Sequence, residues 1–366
     1  MKLSHSSLSR YQQCPTSFKL HYIDRLGSVY KSGALFFGSA IDLALNHLLS
    51  NRDDIEGAKQ VFAENWKTQD GENLMRNTNI TYAASDFDSD LLSKSDWAAL
   101  YAQSENPFND FNRIKKEKAE KGWGNLESSD RAFYNEMNWR SLAHKGEYMV
   151  EAYAKDILPQ IKKVIAIQVP INLDNGSGDV VVGFADLVAE LQDGSIAVLD
   201  NKTSSMEYED DSVLKSPQLA LYKLALNNET ENPKSKWKHR IDKAGFLVLR
   251  KGLKKDITKI CKKCSFEAEK GDTHKTCHNE DEGKRCGGAW NRSVKFSVET
   301  QIIVDPISER FQDMVLDNVN DINACIKTEI YPKNFQSCVQ NWGPCEYFSI
   351  CHHGNYKDIV KLKDRK

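Results

Sequence analysis

The segment GFADLVAELQDGSIAVLDNKTSS carries two aspartates and a lysine in an order that could hold a divalent cation. Asp186 ends or interrupts one apolar stretch, while Asp200 and Lys202 lie on the next, across a turn signalled by Asp193-Gly194. Side chains alternate along a strand, so Asp200 and Lys202 share a face with Ile196 and Val198. Charges on such a face carry a desolvation penalty unless an ion compensates them. Carboxylate and water ligands suit Mg²⁺ or Mn²⁺, which lower the pKa of bound water and neutralise phosphate charge. Lys202 could orient the attacking water or stabilise a developing oxyanion. A D-x-K triplet alone also fits an ordinary polar hairpin with a surface ion pair. Context favours chemistry, because the following helix presents Gln218 and Tyr222 at i and i+4, on one face.

Cysteines form the second set. Of nine, eight fall into two groups, and in a reducing compartment such spacing suits metal ligation better than disulfides. Cys261, Cys264, Cys277 and Cys286 read C-x2-C-x12-C-x8-C, a tetrahedral Zn²⁺ pattern with His274 and His278 nearby as substitutes. Cys338, Cys345 and Cys351 make a triplet near the carboxyl end, and Cys14 stands far upstream beside Pro15. In isolation the triplet could be a zinc site completed by His352 or His353. Cys325 is left over and reads as an ordinary buried thiol.

The elements that must position these groups are legible as periodicities. Ser4 to Leu26 reads as a serine-capped amphipathic helix interrupted at Cys14-Pro15, and Phe36 to Leu49 as a second helix entered through Gly38. A polar, aromatic-flecked helical stretch follows; its Asp86, Asp88 and Asp90 fail as a calcium loop, because Leu91 and Trp97 occupy the glycine and glutamate positions. Three strands come next, VIAIQVPINL, VVVGFADLVAEL and SIAVLDNKTS, with turns at Asp174-Asn175-Gly176 and Asp193-Gly194, the last two strands forming a hairpin. A helix runs from Ser216-Pro217 to about Asn227, GFLVLR supplies a fourth strand, and VKFSVETQIIV resumes strand character after the cysteine knuckle. A final helix spans Ser308 to about Lys327.

With 366 residues and 40% apolar content, the chain can bury a sizeable core. Its start lacks an apolar core after a basic segment and it has no run of 18 apolar residues, so the expected address is cytoplasmic, with no membrane partner. The net charge of −2 conceals a basic block: Lys234 to Lys263 holds twelve Lys/Arg against Asp242 and Asp256. Such a block, with Trp237, His239 and Phe246 interleaved, would attract a phosphate backbone and offer rings to unpaired bases; the plainer reading is a solvated face around a metal knuckle. No G-x-x-x-x-G-K-[ST] loop is present, so any ATP motor must come from a separate helicase, or the chain works beside a strand-annealing protein.

Four motifs together resemble the RecB-like branch of the PD-(D/E)XK nuclease superfamily: Gly38 to Asp42 (GSAID), Gly183 to Asp186 (GFAD), Asp200-Asn201-Lys202-Thr203, and Gln218 to Tyr222 (QLALY). The resemblance implies that Asp186 and Asp200 are metal ligands, that the Asn201 carbonyl is another, that Lys202 is catalytic, and that Gln218 and Tyr222 line the DNA path. The family's histidine is Asp42 here, which could still bind the cation, and its earlier acidic position falls on Gln168, which cannot ligate as a carboxylate. Cys14-Pro15 with the terminal triplet resembles the iron–sulfur nucleases, AddB-like and CRISPR-adaptation-nuclease-like, which implies a structural 4Fe-4S cluster on Cys14, Cys338, Cys345 and Cys351.

The expected fold is α/β, a restriction-endonuclease-like mixed sheet flanked by helices, carrying a helical insertion and a zinc-ribbon insertion. Expected boundaries are 1–52 for the amino-terminal helices, 53–147 for the helical insertion, 148–258 for the nuclease core, 259–292 for the ribbon, and 293–366 for the remaining strand, helix and cluster cysteines. The expected function is a Mg²⁺- or Mn²⁺-dependent deoxyribonuclease, an exonuclease on single-stranded DNA or duplex ends, in recombination, repair or phage DNA processing. The alternatives are a non-catalytic nucleic-acid-binding protein and a DNA-trimming subunit of a CRISPR-adaptation-like complex.

Overall fold

A computed structural model describes residues 2–69, 71–174, 178, 180–269, 271–281, 284–340 and 343–363. Strand β1 (Lys2–Leu3) leads into helix α1 (His5–Gln13), which starts in a reciprocal cap: Ser4 Oγ accepts from Ser7 N–H and Ser7 Oγ accepts from Ser4 N–H. The residue before a proline is pushed towards extended backbone, and Cys14 obeys at φ −160°, ψ 107°, ending α1 before the chain turns again through Pro15–Phe18 and Lys19–Ile23. Helices α2 (Gly33–Ser50), α3 (Ile55–Lys67), α4 (Lys94–Tyr101), α5 (Pro107–Lys121) and α6 (Ser128–Ala152) follow. Helices α3 and α6 are latched by paired indoles, with Trp66 Nε1 donating to Trp139 O at 3.1 Å and Trp139 Nε1 to Trp66 O at 2.8 Å. Nearby, Gly146 of α6 gives Phe62 of α3 its room: a Cβ there would lie 2.0 Å from Phe62 Cζ.

The remaining elements are strands β2 (Ile161–Asp174), β3 (Val180–Leu191) and β4 (Ile196–Ser204), helix α7 (Pro217–Glu231), strands β5 (Lys243–Arg250), β6 (Lys254–Cys261), β7 (Trp290–Ser297) and β8 (Thr300–Asp305), and helix α8 (Glu309–Lys327). Six strands form one sheet in the order β1-β3-β4-β5-β8, with β2 also on β3. Pairing is antiparallel for β2–β3, β3–β4 and β5–β8, and parallel for β1–β3 and β4–β5. The expected mixed sheet flanked by helices is therefore the fold observed. The turn expected at Asn175-Gly176 lies outside the described residues, whereas Gly194, at φ +84°, makes the β3–β4 turn where a left-handed residue is needed. VKFSVETQIIV departs from its reading as one strand. It breaks at Val298-Glu299: β7 pairs with β6 in a separate ribbon, and only β8 joins the core, with Arg250 N–H donating to Glu299 O at 2.9 Å where the two part.

Alternation along the strands divides the core. Leu187, Ala189, Ala197, Leu199, Leu247 and Leu249 pack with α2, α3 and α6, whereas Val188, Val198, Phe246 and Val248 pack with α1, α7 and α8. Both faces are covered, which is why these strands read as nearly continuous apolar runs. Phe246 is accordingly 6% exposed and offers no ring to a base, because its strand is in the middle of the sheet. The basic block is also not one surface. Lys234 to Arg240 lie before β5 and Lys251 to Lys263 after it, separated by a strand of about 26 Å.

The two chain ends are sewn together. Tyr11 OH donates to Ile330 O at 2.6 Å, Thr16 Oγ1 to Tyr331 O at 2.9 Å, and Asn334 Nδ2 and Ser337 Oγ to Gln13 O, each at 2.8 Å. Arg10 pairs with Glu346, and Leu26–Ser28 forms a small antiparallel ladder with Ile359–Lys361.

Replacing Gly146 by alanine should destabilise the protein by about 1–3 kcal/mol through overpacking against Phe62. Urea denaturation checks this, with a shifted midpoint and an unchanged slope as the expected outcome.

Candidate active site

The sheet opens where the aspartates lie. Strand β2 occupies one edge of β3 throughout, so β1 and β4 must share the other. There β1 pairs with Val180 and Val181, and β4 with Leu187 to Glu190, leaving residues 182–186 without a strand on that side. Asp186 sits at the fork, and its Oδ2 accepts the Asn201 backbone N–H at 2.9 Å in place of a ladder bond. Alternation slips at the same level, since Ala185 and Val188 both belong to the α7-side core and Leu187 to the other. Across β2, Gln168 adopts φ +51° between the pairs Ile167–Leu187 and Val169–Ala185. A non-glycine residue in the left-handed region inside a strand is strained, and such strain gathers at functional sites.

A cleft of about 470 Å³ opens there, lined among others by Asp42, Asp186, Asn201 and Lys202. Asp42 reaches it from α2. Its Oδ2 accepts from Asn46 Nδ2 one helical turn on and from Gln168 Nε2, each at 3.2 Å. Gln168 thus meets the site as an amide donor to a carboxylate, where a glutamate would repel Asp42. Asp200, 2% exposed, lies behind the cleft. Lys202 Nζ sits 2.5 Å from its Oδ2, and Gln218 Nε2 donates to its Oδ1 at 3.0 Å. Gln218 also accepts from Lys202 Nζ at 3.3 Å and donates to Tyr222 OH at 3.0 Å. Tyr222 is buried beside Gly183, where an added Cβ would meet the phenol in ordinary contact at 3.4 Å. In this structure Gln218 bonds both Asp200 and Lys202, and the buried Tyr222 accepts from Gln218.

Three carboxyl groups resist ionisation. Burial, then the charges of Asp200 and Asp42, push Asp186 up to about 7. Burial also raises Asp200, and burial with the nearby Asp200 charge raises Asp42. For Lys202, burial acts downward, but Asp200 and Asp186 outweigh it and the ammonium is held above its ordinary value. Asp200 Oδ2 is buried without a directed hydrogen bond despite the ion pair. This donor set fits a hard divalent cation, which would remove the mutual repulsion of the carboxylates. Asp42, Asp186 and Asn201 line the cleft, whereas Asp200 is bonded to Gln218 and Lys202, and the three carboxylates do not all lie within 4.8 Å of one another.

Sequence reasoning missed two neighbours. Tyr153, fully buried just after α6, donates its hydroxyl to Asn201 Oδ1 at 3.2 Å, and burial beside Asp186 and Asp42 raises its pKa. His5 of α1 is lowered by burial and by Lys202. Neither carries a sequence signal, whereas Asn46 was detectable at i+4 from Asp42.

Cys261, Cys264, Cys277 and Cys286 gather with all Sγ atoms within 4.8 Å of one another. Cys261 and Cys286 are 3.6 Å apart, as are Cys264 and Cys277. Four thiolates about 2.3 Å from one ion lie about 3.8 Å apart, so the cluster fits a single tetrahedral ion. His274 and His278 do not back up these thiolates; they gather around Asp272. The ribbon docks on the helical segment through Lys255, which contacts Asp88 and Asp90 at 2.6 and 2.8 Å, and Arg292, 2.8 Å from Asp90. Cys14, Cys338, Cys345 and Cys351 lie near the junction of the chain ends, without the close sulfur grouping of the ribbon cysteines. Cys345 N–H donates to Cys338 O at 2.8 Å. Burial raises the Cys345 and Cys351 thiols, and Cys14 adds to both.

One described helix, α2, is long and apolar enough to cross a membrane by composition, with 44% of it buried; its buried face packs in the core and it carries Asp42. Residues 2–352 match the family model of the PD-(D/E)XK nuclease superfamily. No curated protein matches the chain.

The raised Asp186 pKa has a pH signature. Between its unfolded value near 3.8 and about 7, the folded chain holds a proton that the unfolded chain has lost. Stability without added divalent cation should therefore fall as pH rises through that window, by up to about 4 kcal/mol. Asp186→Asn should flatten the slope in urea titrations between about pH 4 and 7, and added Mn²⁺ should flatten it in the unmodified chain.

Proposed function

The chain belongs to the PD-(D/E)XK nuclease superfamily, a family of divalent-metal nucleases acting on DNA, and from that premise we propose that it is a Mg²⁺- or Mn²⁺-dependent exodeoxyribonuclease of the RecB-like iron–sulfur branch. The observation that carries this reading is the meeting of Asp42, Asp186 and Asn201 in one cleft with Lys202 beside them, at a fork between two strands. Asp42, Asp186, Asp200 and the Asn201 carbonyl would hold the cation. When bound, it supplies acidification of a water and neutralisation of phosphate charge. Lys202, kept cationic by Asp200 and Asp186, stabilises charge developing on the phosphate. Gln218 and Tyr222 keep Asp200 and Lys202 in register, and Tyr153 fixes Asn201.

The ribbon supports the same reading. Strand β5 runs parallel to β4 with Val248 beside Lys202, so β6 and the knuckle leave the sheet at the end that carries the cleft. The exposed Lys262 and Lys263 there can meet phosphates, while Lys254 pairs with Glu299 and Lys234 to Arg240 lie at the other end of β5. We assign zinc to the four-cysteine knuckle from its sulfur spacing. We assign a 4Fe-4S cluster to Cys14, Cys338, Cys345 and Cys351. Cys14 stands in a Cys-Pro dipeptide far upstream of the terminal triplet, and the four lie where the two chain ends join. Such a cluster would tie together the two ends that hydrogen bonds already join, and its role is structural. Recombination, repair or phage DNA processing is the setting we infer, beside a separate helicase or annealing protein.

End-labelled single- and double-stranded DNA incubated with the full chain and Mn²⁺ should be shortened from its ends. Asp200→Ala and Lys202→Ala should each lower cleavage about 10²-fold or more while DNA binding is retained; binding without any cleavage by the unmodified chain would identify a non-catalytic DNA-binding protein instead. Protein purified without oxygen should be brown from thiolate-to-iron charge transfer, and Cys345→Ser should lose both iron and thermal stability. A colourless, iron-free preparation would overturn the cluster.

A further inference from the structure

The ribbon holds a second set of ligand atoms apart from its four cysteines. Asp272 Oδ1 lies 2.8 Å from His274 Nδ1, and Asp272 Oδ2 lies 3.2 Å from His278 Nδ1. The three ligand atoms fall within 4.8 Å of one another, and the two imidazole rings are 4.2 Å apart. Hydrogen bonding satisfies only half of this arrangement. His274 Nδ1 is hydrogen-bonded to the carboxylate, whereas His278 Nδ1, shielded from solvent on a side chain that is 30% exposed, pairs with Oδ2 by proximity alone, without hydrogen-bond geometry. Leaving a buried nitrogen unsatisfied is unfavourable, and a cation shared among the three groups would satisfy it.

The loop is held in place independently of any ion. Lys259 Nζ donates to the carbonyls of Asp272 and His274 at 2.7 and 3.2 Å, and Trp290 Nε1 donates to His274 O at 3.0 Å. Both anchors stand on the paired strands β6 and β7. The Asp272 side chain is 6% exposed and that of His274 is 52% exposed, so the carboxylate is enclosed while one side of the group stays open to solvent.

We propose that Asp272, His274 and His278 bind a second zinc-class cation, separate from the one held by the cysteine knuckle. Two imidazoles and one carboxylate suit Zn²⁺, whose preferred fourfold coordination a water completes on the open side. Asp272 and His274 lie between Cys264 and Cys277, and His278 follows Cys277. The second ion therefore braces the longest stretch of the ribbon that the thiolates leave unsupported.

The full chain, loaded with ZnCl₂ and desalted, should contain about two zinc ions per chain, and zinc-edge X-ray absorption should show sulfur neighbours near 2.3 Å together with nitrogen or oxygen near 2.0 Å. The double variant Asp272→Asn/His274→Ala should lose one ion and keep only the sulfur shell. His274→Ala alone alters a half-exposed side chain, so it should fold and show the same loss of the nitrogen contribution. One zinc per chain with an all-sulfur shell in the unmodified protein, or zinc content and spectrum unchanged in the variants, would overturn the site and leave a hydrogen-bonded triad. These readouts do not involve DNA cleavage, so they stand whatever the outcome for the cleft.

Discussion

The bond from the Asn201 backbone to the Asp186 carboxylate is the interaction on which the rest of this structure turns. A side chain there does what a neighbouring backbone would otherwise do, so β3 and β4 can part without orphaning an amide. The parting places charged groups at the edge of a core whose two faces are otherwise apolar. It also explains why helices from distant parts of the chain converge there, since α2 contributes Asp42 and α7 contributes the pair that steadies Asp200 and Lys202. The three carboxyl groups are uncomfortable together, with Asp186 held near neutrality. A site that is uneasy when empty is one that gains most by taking up a cation.

The second organising constraint is topological. The sheet is assembled from strands in the middle of the sequence, while α1 and the segment after α8 come from its two ends. Their mutual hydrogen bonds, from Tyr11, Thr16, Asn334 and Ser337, fix α1 against the core, and α1 in turn brings His5 close to Lys202. Integrity at the cysteine junction and geometry at the cleft are therefore mechanically related, although their chemistry differs.

Much of the arrangement was legible in the residues. The strands, the mixed sheet and the D-x-K face followed from alternation and turn signals, because both are local. Contacts between remote segments were not. Gln168 could be read as a poor ligand, yet its bond to Asp42 spans 126 residues and depends on a left-handed backbone that its type does not suggest. Tyr153 and His5 gave no signal for the same reason. The basic block misled because charge density along a chain is not charge density on a surface: β5 runs through the middle of that block and buries Phe246. Asp88 and Asp90, which fail as a calcium loop, find their partners in Lys255 and Arg292 on the ribbon, a pairing that no local pattern encodes.

The ribbon leaves the core after Arg250 and returns at Thr300, and these positions adjoin across the β5–β8 ladder. A short hairpin turn could join the same two strands. Lys251, Leu253 and Val298 still serve the core, but the β6–β7 ribbon beyond them is a separate sheet that could grow or change without entering the ladder of the core. Such a ribbon can be refitted by evolution without disturbing the fork where Asp186 accepts the Asn201 amide.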